Sequence, residues 1–325
     1  MASLIERTYH STPAAYALPN GVLEHRRLET QHECLLKLMN GRIIHASLPP
    51  TITRALDIGC GTGPVAHSLA TARPTTTVYG LDLSPVPPLR TQPPNLEFIQ
   101  GDFKELVRPD GTSSDQLPDP RLAPASFDLV FSRLLIFGIT EWQRYIDAVA
   151  ALLAPGGHAE LHDACHVWHR GAPDTPPATF LPHDVPLPVN DEPDPLPDLQ
   201  PDTAADPTRY NPPWTRALNA AMRAKAMDPA CGANIATYMR RAGLIDVHAR
   251  RYAWPHDVWE GLPAEAEMLG RYTEEVRAEF YGRVIRRLGA ELEEVGELES
   301  GNEGGKRVWF WLWVVVGRKP GGMGG

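Results

Sequence analysis

One short segment limits this chain more than any other. Asp57-Ile58-Gly59-Cys60-Gly61-Thr62-Gly63 stands at the end of the apolar run RALDIG (54–59). Glycines at alternate positions let a chain turn sharply, and with no Cβ in the way a ligand can approach the main chain. Pro64 sits where a helix would begin, a position that tolerates proline because its missing N–H had no partner there. The helix continues as VAHSLATA. Its free N–H groups form a polar, partly positive rim.

The alternation goes on. TVYGLDLS (77–84), NLEFIQGDF (95–103), FDLVFSRLLIF (127–137) and HAELHDACH (158–166) read as strands two to five. Trp142 to Leu153 reads as an amphipathic helix closed by Pro155-Gly156-Gly157. LIDVHARRYAW (244–254) and RVWFWLWVVVGRKP read as strands six and seven, with a long helix over about 264–295 between them. Apolar strands that alternate with helices predict an α/β fold, doubly wound around a mostly parallel sheet buried on both faces. Further helices are predicted at Leu23–Met39, Trp214–Met227 and Ala233–Ala242, the first capped by Gly41.

The expected organisation has five parts. Residues 1–50 form an N-terminal helical arm or lid. Residues 51–166 form a nucleotide-binding, Rossmann-like core. Residues 167–230 are a proline-rich loop and helical insertion, within which 171–213 lacks the apolar surface to offset its ordering entropy. Residues 231–319 complete the core, and 320–325 form a disordered tail. The clustering of the 33 prolines marks these boundaries.

Charge and cysteines exclude some functions. The formal net charge of −9 opposes a polyanionic partner, so no nucleic acid is expected, and no membrane anchoring by a polybasic segment. The four cysteines, Cys34, Cys60, Cys165 and Cys231, form no CxxC pair, which argues against a structural zinc site or a disulfide scaffold. The first residues, MASLIERTYHS, lack the apolar run of a signal peptide. A soluble cytoplasmic protein is expected, with a nuclear location also open, and a homodimer is possible.

The chemistry lies at the strand ends. A dinucleotide fingerprint would read GxGxxG and hold a pyrophosphate. Here the spacing is GxGxG, with the carboxylate of Asp57 two positions ahead. That carboxylate repels pyrophosphate and suits an ammonium group, which points to S-adenosyl-L-methionine rather than NAD. Asp82, with Leu83 beside it, ends strand two and can accept hydrogen bonds from ribose hydroxyls. Asp102 and Phe103, after strand three, suit the amine and the face of adenine. Ser132 and Arg133, ending strand four, are expected at the methionine portion. Gly59, Cys60, Gly61 and Gly63 supply the main-chain cradle.

Base candidates for an acceptor proton are His162 and His166, with Asp163 orienting a ring; histidine suits because its pKa lies near working pH. Each is also an ordinary polar residue on a loop. A metal held by His162, Cys165, His166 and His169 is disfavoured, because a strand and loop do not give helical i,i+4 spacing. Trp168, Tyr210, Trp214, Trp254 and Trp259 are candidates for an acceptor pocket, or for core packing. The run Trp309 to Trp313 is most simply packing.

These motifs resemble the class I S-adenosylmethionine-dependent methyltransferases. A narrower resemblance, to the fungal LaeA-like methyltransferases of secondary metabolism, rests on YALPN (16–20), Glu24, Arg27-Leu28 and Gln31-His32, on GLDLSPVPP, on the Leu153–Gly157 turn and on the ending VVVGRKP. Gly21 stands where that group carries an acidic residue. The resemblance implies a seven-stranded Rossmann-like sheet with an antiparallel last strand. It also implies methyl transfer from S-adenosylmethionine to a small-molecule acceptor, and an arm in which Tyr16, Arg27, Gln31 and His32 close over the cofactor. Asp163 matches an acidic position of the family. Two other readings keep the fold: a cyclase or rearrangement enzyme that binds the cofactor, and a LaeA-like regulator acting through protein partners.

If Asp82 holds the ribose, Asp82→Ala raises the dissociation constant for S-adenosylmethionine at least tenfold, about 1.4 kcal/mol by calorimetry. Unchanged affinity would place the ribose elsewhere.

Overall fold

The computed structural model describes residues 21–107, 119–171, 175, 177–187, 208–210, 212–289 and 307–321. Tyr16, the YALPN motif, most of the proline-rich stretch and the last four residues lie outside the described residues.

The strands are β1 (Arg54–Ile58), β2 (Thr77–Asp82), β3 (Leu96–Gln100), β4 (Phe127–Arg133), β5 (Leu153–Arg170), β6 (His183–Val185), β7 (Arg209–Tyr210), β8 (Ile245–Pro255) and β9 (Val308–Arg318). The helices are α1 (Val22–Leu38), α2 (Pro64–Ala72), α3 (Phe103–Leu106), α4 (Trp142–Leu152), α5 (Pro213–Ala224), α6 (Cys231–Arg241) and α7 (Ala264–Leu288). One sheet runs in the order β3-β2-β1-β4-β5-β9-β8-β6, with β7 paired to β5. The ladders among β1 to β5 are parallel, and β9 is antiparallel to both β5 and β8. The seven expected strands and their antiparallel last member are therefore present. The short β6 and β7, which extend the sheet, were not foreseen.

Burial explains the strand sequences. β1 and β4 are buried almost throughout because helices cover both sheet faces. β9 is inserted between β5 and β8, and VWFWLWVVV is buried except at Trp313. The large apolar cluster joins Leu56, Phe127 and Val130 of the sheet to Ile146 and Leu152 of α4, Ile235 of α6 and Ile285 of α7. A second cluster packs α2, through Val65 and Leu69, against Ala55, Val78 and Phe131.

Several boundaries differ from expectation for local reasons. The third strand stops at Gln100 because Asp102 caps α3, its side chain accepting the Lys104 N–H at 2.9 Å. The fourth stops at Arg133 because Leu134 has φ +57°. The fifth runs on to Arg170, since β9 offers it a partner over its whole length, with an irregularity between Cys165 and His169. The long helix ends at Leu288, where Gly289 closes it with φ +86°.

Glu160 of β5 ties the segment after α1 to the sheet. It is fully buried. Its oxygens accept the N–H of His45 at 2.8 and 2.9 Å and of Ala46 at 2.8 Å, and both the His162 and His45 rings lie within hydrogen-bond distance, at 2.7 and 3.2 Å. Burial alone would raise this carboxyl; the hydrogen bonds from His162 and His45 prevail and hold it below the ordinary carboxylate range. A carboxyl with a lowered folded-state pKa contributes stability above its unfolded pKa and loses it as the pH falls below that value. Glu160→Ala leaves buried donors without an acceptor and is expected to cost about 3–5 kcal/mol. Urea denaturation between pH 7 and pH 3 checks this: the wild type should lose stability on acidification below the carboxylate range, and the variant less of it. Equal acid sensitivity in the two proteins would show that Glu160 plays no such part.

Candidate functional site

The carboxyl ends of β1, β2 and β4 border a cleft. The turn after β1 takes the left-handed conformation three times, at Gly59 (φ +67°), Gly61 (+58°) and Gly63 (+77°). The N–H groups of Gly59 and Cys60 bond to the Leu81 carbonyl at 2.8 and 3.0 Å, which pins the turn against β2. A Cβ on Gly59 would collide with the Leu135 side chain. The cavity above the turn measures about 200 Å³. Arg27, Asp57, Gly59, Cys60, Gly61, Asp82, Leu83, Asp102 and Phe103 all stand in its wall.

Helix α1 roofs the turn. Glu29 receives hydrogen bonds from the Thr62 hydroxyl and from Arg90. Arg27 pairs with Glu24 at 2.7 Å and donates to the Tyr272 hydroxyl at 2.8 Å, so α1 is also tied to α7. Arg27, Leu28 and Gln31 face the cavity. His32 sits instead on Arg133, the two side-chain nitrogens 2.9 Å apart. Burial, then the charge of Arg133, lowers His32 to about 3, so its ring is neutral and accepts from the guanidinium.

Two buried charges face one another at the floor. Burial pushes the Asp57 carboxyl up to about 7, against the pull of Arg133 and the Ala66 N–H, which donates to it at 3.1 Å. Burial lowers Arg133 to about 10, against the charge of Asp57. Asp82 accepts the N–H of Gly61 at 2.8 Å and of Ser84 at 2.9 Å. Asp82 also stands in the cavity wall.

The far end of the cavity is aromatic. Phe137, Trp254, Phe280, Tyr281 and Phe310 line it together with His166. The His166 ring packs on Phe137 at 5.2 Å and Phe310 at 5.6 Å, and its buried Nδ1 has no hydrogen-bond partner. Burial lowers it to about 3.

Some expected site residues lie elsewhere. His162 is off the cavity wall: its ring meets Glu160, His45 and Phe131, and burial lowers its pKa. Alternate strand residues point to opposite faces. For that reason Asp163 cannot orient the His162 ring, whereas Glu160, two positions away, does. The same alternation buries Ser132 and turns Phe131 and Arg133 to the cavity. Gly63 heads α2 below the cavity. Of the five aromatic candidates only Trp254 lines it; Trp168 and Trp214 pack against each other at 5.1 Å in the core. The four residues weighed as metal ligands do not converge, since His169 stacks on Trp309 at 5.4 Å. The described residues instead bring His45, Glu160 and His162 together, ligand atoms within 4.8 Å of one another, in the hydrogen-bonded cluster already described. No helix among the described residues is long and apolar enough to cross a membrane.

Other wall residues escaped the sequence reading. Phe280 and Tyr281 come from α7, and the 135–139 loop from beyond β4. The helical period of α7 was visible, but not which element it would cover.

Asp163 holds that loop. It accepts the Leu135 N–H at 2.8 Å and the Ala164 N–H at 2.9 Å, and burial pushes its carboxyl up to about 7. Asp163→Ala leaves both donors unpaired and should destabilise the fold by about 1–3 kcal/mol in equilibrium denaturation. A variant as stable as the wild type would mean the loop is held by packing alone.

The profile of the family described as "Methyltransferase domain" matches residues 23–191, just over half of the chain. The methyltransferase pytC of Aspergillus terreus is 32% identical over 178 residues, covering 54% of this chain and 50% of that protein. The secondary metabolism regulator laeA of Coprinopsis cinerea is 30% identical over 161 residues, covering 46% of this chain and 36% of that protein. The chain thus spans half or less of the length of these relatives. Among solved structures, the phosphoethanolamine N-methyltransferase 2 of Haemonchus contortus in complex with S-adenosyl-L-methionine superimposes with a TM-score of 0.42 at 16% identity, over 90% of this chain and 52% of that one. With the profile running from α1 through the glycine turn and the whole parallel half of the sheet, the chain belongs to the methyltransferase-domain family, whose cofactor is S-adenosyl-L-methionine.

Proposed function

We propose that this chain transfers a methyl group from S-adenosylmethionine to an oxygen or nitrogen of a small, flat, largely apolar acceptor. The observation that carries this reading is a single cavity joining the glycine turn and Asp82 at one end to the aromatic wall around His166 at the other. The residues at the first end suit the cofactor. The glycine turn at Gly59 and Gly61 lines the cavity, and three carboxylates, Asp57, Asp82 and Asp102, offer acceptors to an ammonium, a ribose and an adenine amine.

When bound, the cofactor supplies an electrophilic methyl carbon on a sulfonium. The chain's own tasks are then alignment and exclusion of water, which can supply roughly 7–11 kcal/mol of barrier reduction. Ionised Asp57 holds the ammonium. Asp82 holds the ribose hydroxyls, and Asp102 with Phe103 holds the adenine. Helix α1, clamped to the turn through Glu29, closes the roof. The aromatic wall orients the acceptor by its flat face.

His166 takes the acceptor's proton side. With its pKa lowered by burial, the ring is neutral at working pH and accepts a hydrogen bond from an acceptor O–H or N–H. That bond aims a lone pair of the acceptor at the methyl carbon, and the proton passes on to solvent after transfer, since a ring with so low a pKa does not keep it. His162, held on Glu160 away from the cavity wall, takes no part in this mechanism.

Transfer from tritiated-methyl S-adenosylmethionine to extracted metabolites tests the reading, with metabolite profiles of a host carrying or lacking the gene to name the product by one added methyl. His166→Ala should slow transfer about tenfold, the worth of one positioning hydrogen bond, while calorimetric affinity for S-adenosylhomocysteine holds. Full-rate transfer by that variant removes His166 from the chemistry. Failure of the wild type to take up either the cofactor or its demethylated product at millimolar concentration ends the proposal as a whole.

A further inference from the structure

Beside the aromatic end of the cleft lies a second cavity of about 30 Å³, whose wall includes Arg27, Gln31, Tyr272 and Arg277. Trp254, Phe280 and Tyr281 belong to both walls, so the two spaces adjoin. One water needs roughly 10–15 Å³. The smaller cavity therefore has room for about two waters, or for the two oxygens of a carboxylate.

Its two arginines differ. Arg27 is neutralised by Glu24, with hydrogen bonds at 3.0 and 2.7 Å. Arg277, on α7, is 8% exposed, and its Nη1 is fully buried with no hydrogen-bond partner. No carboxylate among the described residues forms an ion pair with it. The nearby ring of His256 gives no counter-charge, because burial and the Arg277 charge itself lower its pKa to about 3. Thr273 is committed elsewhere: its hydroxyl accepts from Trp254 Nε1 at 2.9 Å and donates to the Leu269 carbonyl at 2.8 Å. A guanidinium cannot shed its proton inside a protein. A buried cation with an unpartnered N–H, whose side chain helps to wall a small cavity, calls for an anion.

We infer that Arg277 is the anion-binding residue of the acceptor site, and that the acceptor is a carboxylic acid whose flat apolar body lies against Trp254, Phe280 and Phe310. This rests on reading the aromatic end of the cleft as the acceptor side. The planar fork of a guanidinium matches a carboxylate through two parallel hydrogen bonds, which an amide or ester of the same shape cannot receive as well. Discrimination between an acid and its amide is thus the property the site predicts.

The test is calorimetry on the full chain with saturating S-adenosylhomocysteine, using 2-naphthoate and 2-naphthamide as probes of equal shape. The wild type should bind the acid at least tenfold more tightly than the amide. Arg277→Met should abolish that preference, Arg277→Lys should keep part of it, and affinity for S-adenosylhomocysteine should be the same in all three proteins. Equal binding of the two probes by the wild type overturns the inference, as does binding of neither at millimolar concentration; these comparisons need no variant to fold. A preference that survives in a folded Arg277→Met protein also overturns it. Loss of S-adenosylhomocysteine affinity in that variant would assign the guanidinium to the cofactor's own carboxylate and sink the inference too. If the wild type selects the acid but takes up no S-adenosylhomocysteine, the anion site stands and the methyl-transfer reading falls alone.

Discussion

The cleft exists because neighbouring strands hand the chain off in opposite directions. From β1 the chain leads through α2 to β2 and β3 on one side, while β4 continues to β5 on the other. At such a switch point the connections diverge and leave a crevice outside the carboxyl ends of the strands. The glycine turn, Asp82 and Arg133 stand at that edge because each ends one of those strands. Helices α1 and α7 close the crevice from above, joined through Arg27, Glu24 and Tyr272.

Burial sets the electrostatics within this frame. Asp57 is 2% exposed, and its carboxyl stands near 7 because desolvation outweighs the pull of Arg133. A group so placed is sensitive to any cation that enters. Glu160 is buried to the same degree, yet it is held in its charged form, because backbone N–H groups and two imidazoles point at it. The contrast lies in hydrogen-bond donors rather than in depth. It separates a carboxylate that anchors a loop from one that remains responsive at a cavity.

The antiparallel half of the sheet carries a different load. β9 is wedged between β5 and β8 and contributes Phe310 to the cavity, while Trp309 and Trp311 face the opposite side and pack with His169. The aromatic end lies mostly on this side, with β5 supplying His166, β8 Trp254 and α7 Phe280 and Tyr281, while Phe137 comes from the loop after β4. One half of the fold thus presents a polar wall and the other an apolar one, and the cavity runs between them.

Much of this was legible in the residues alone. Apolar runs, the glycine turn and the carboxylates at strand ends are local signals, and hydrophobic period and turn chemistry act over a few residues. They placed the five parallel strands, and Asp57, Asp82 and Asp102 at one edge; the antiparallel sense of the last strand was implied by the family resemblance. What failed was anything that depends on which face a side chain takes or on what lies across from it. Ser132 and Arg133 differ by one residue, and strand parity, fixed only by packing, sent one to the core and the other to the cavity. Glu160 and His162 share a face in an alternation visible in the sequence, but their partner His45 is 115 residues from Glu160. Arg277 looks like any helix-surface arginine until α7 is laid over the sheet. Local chain chemistry determined the elements and the polar edge; long-range burial alone decided which charges lost their water, and so where the chemistry can occur.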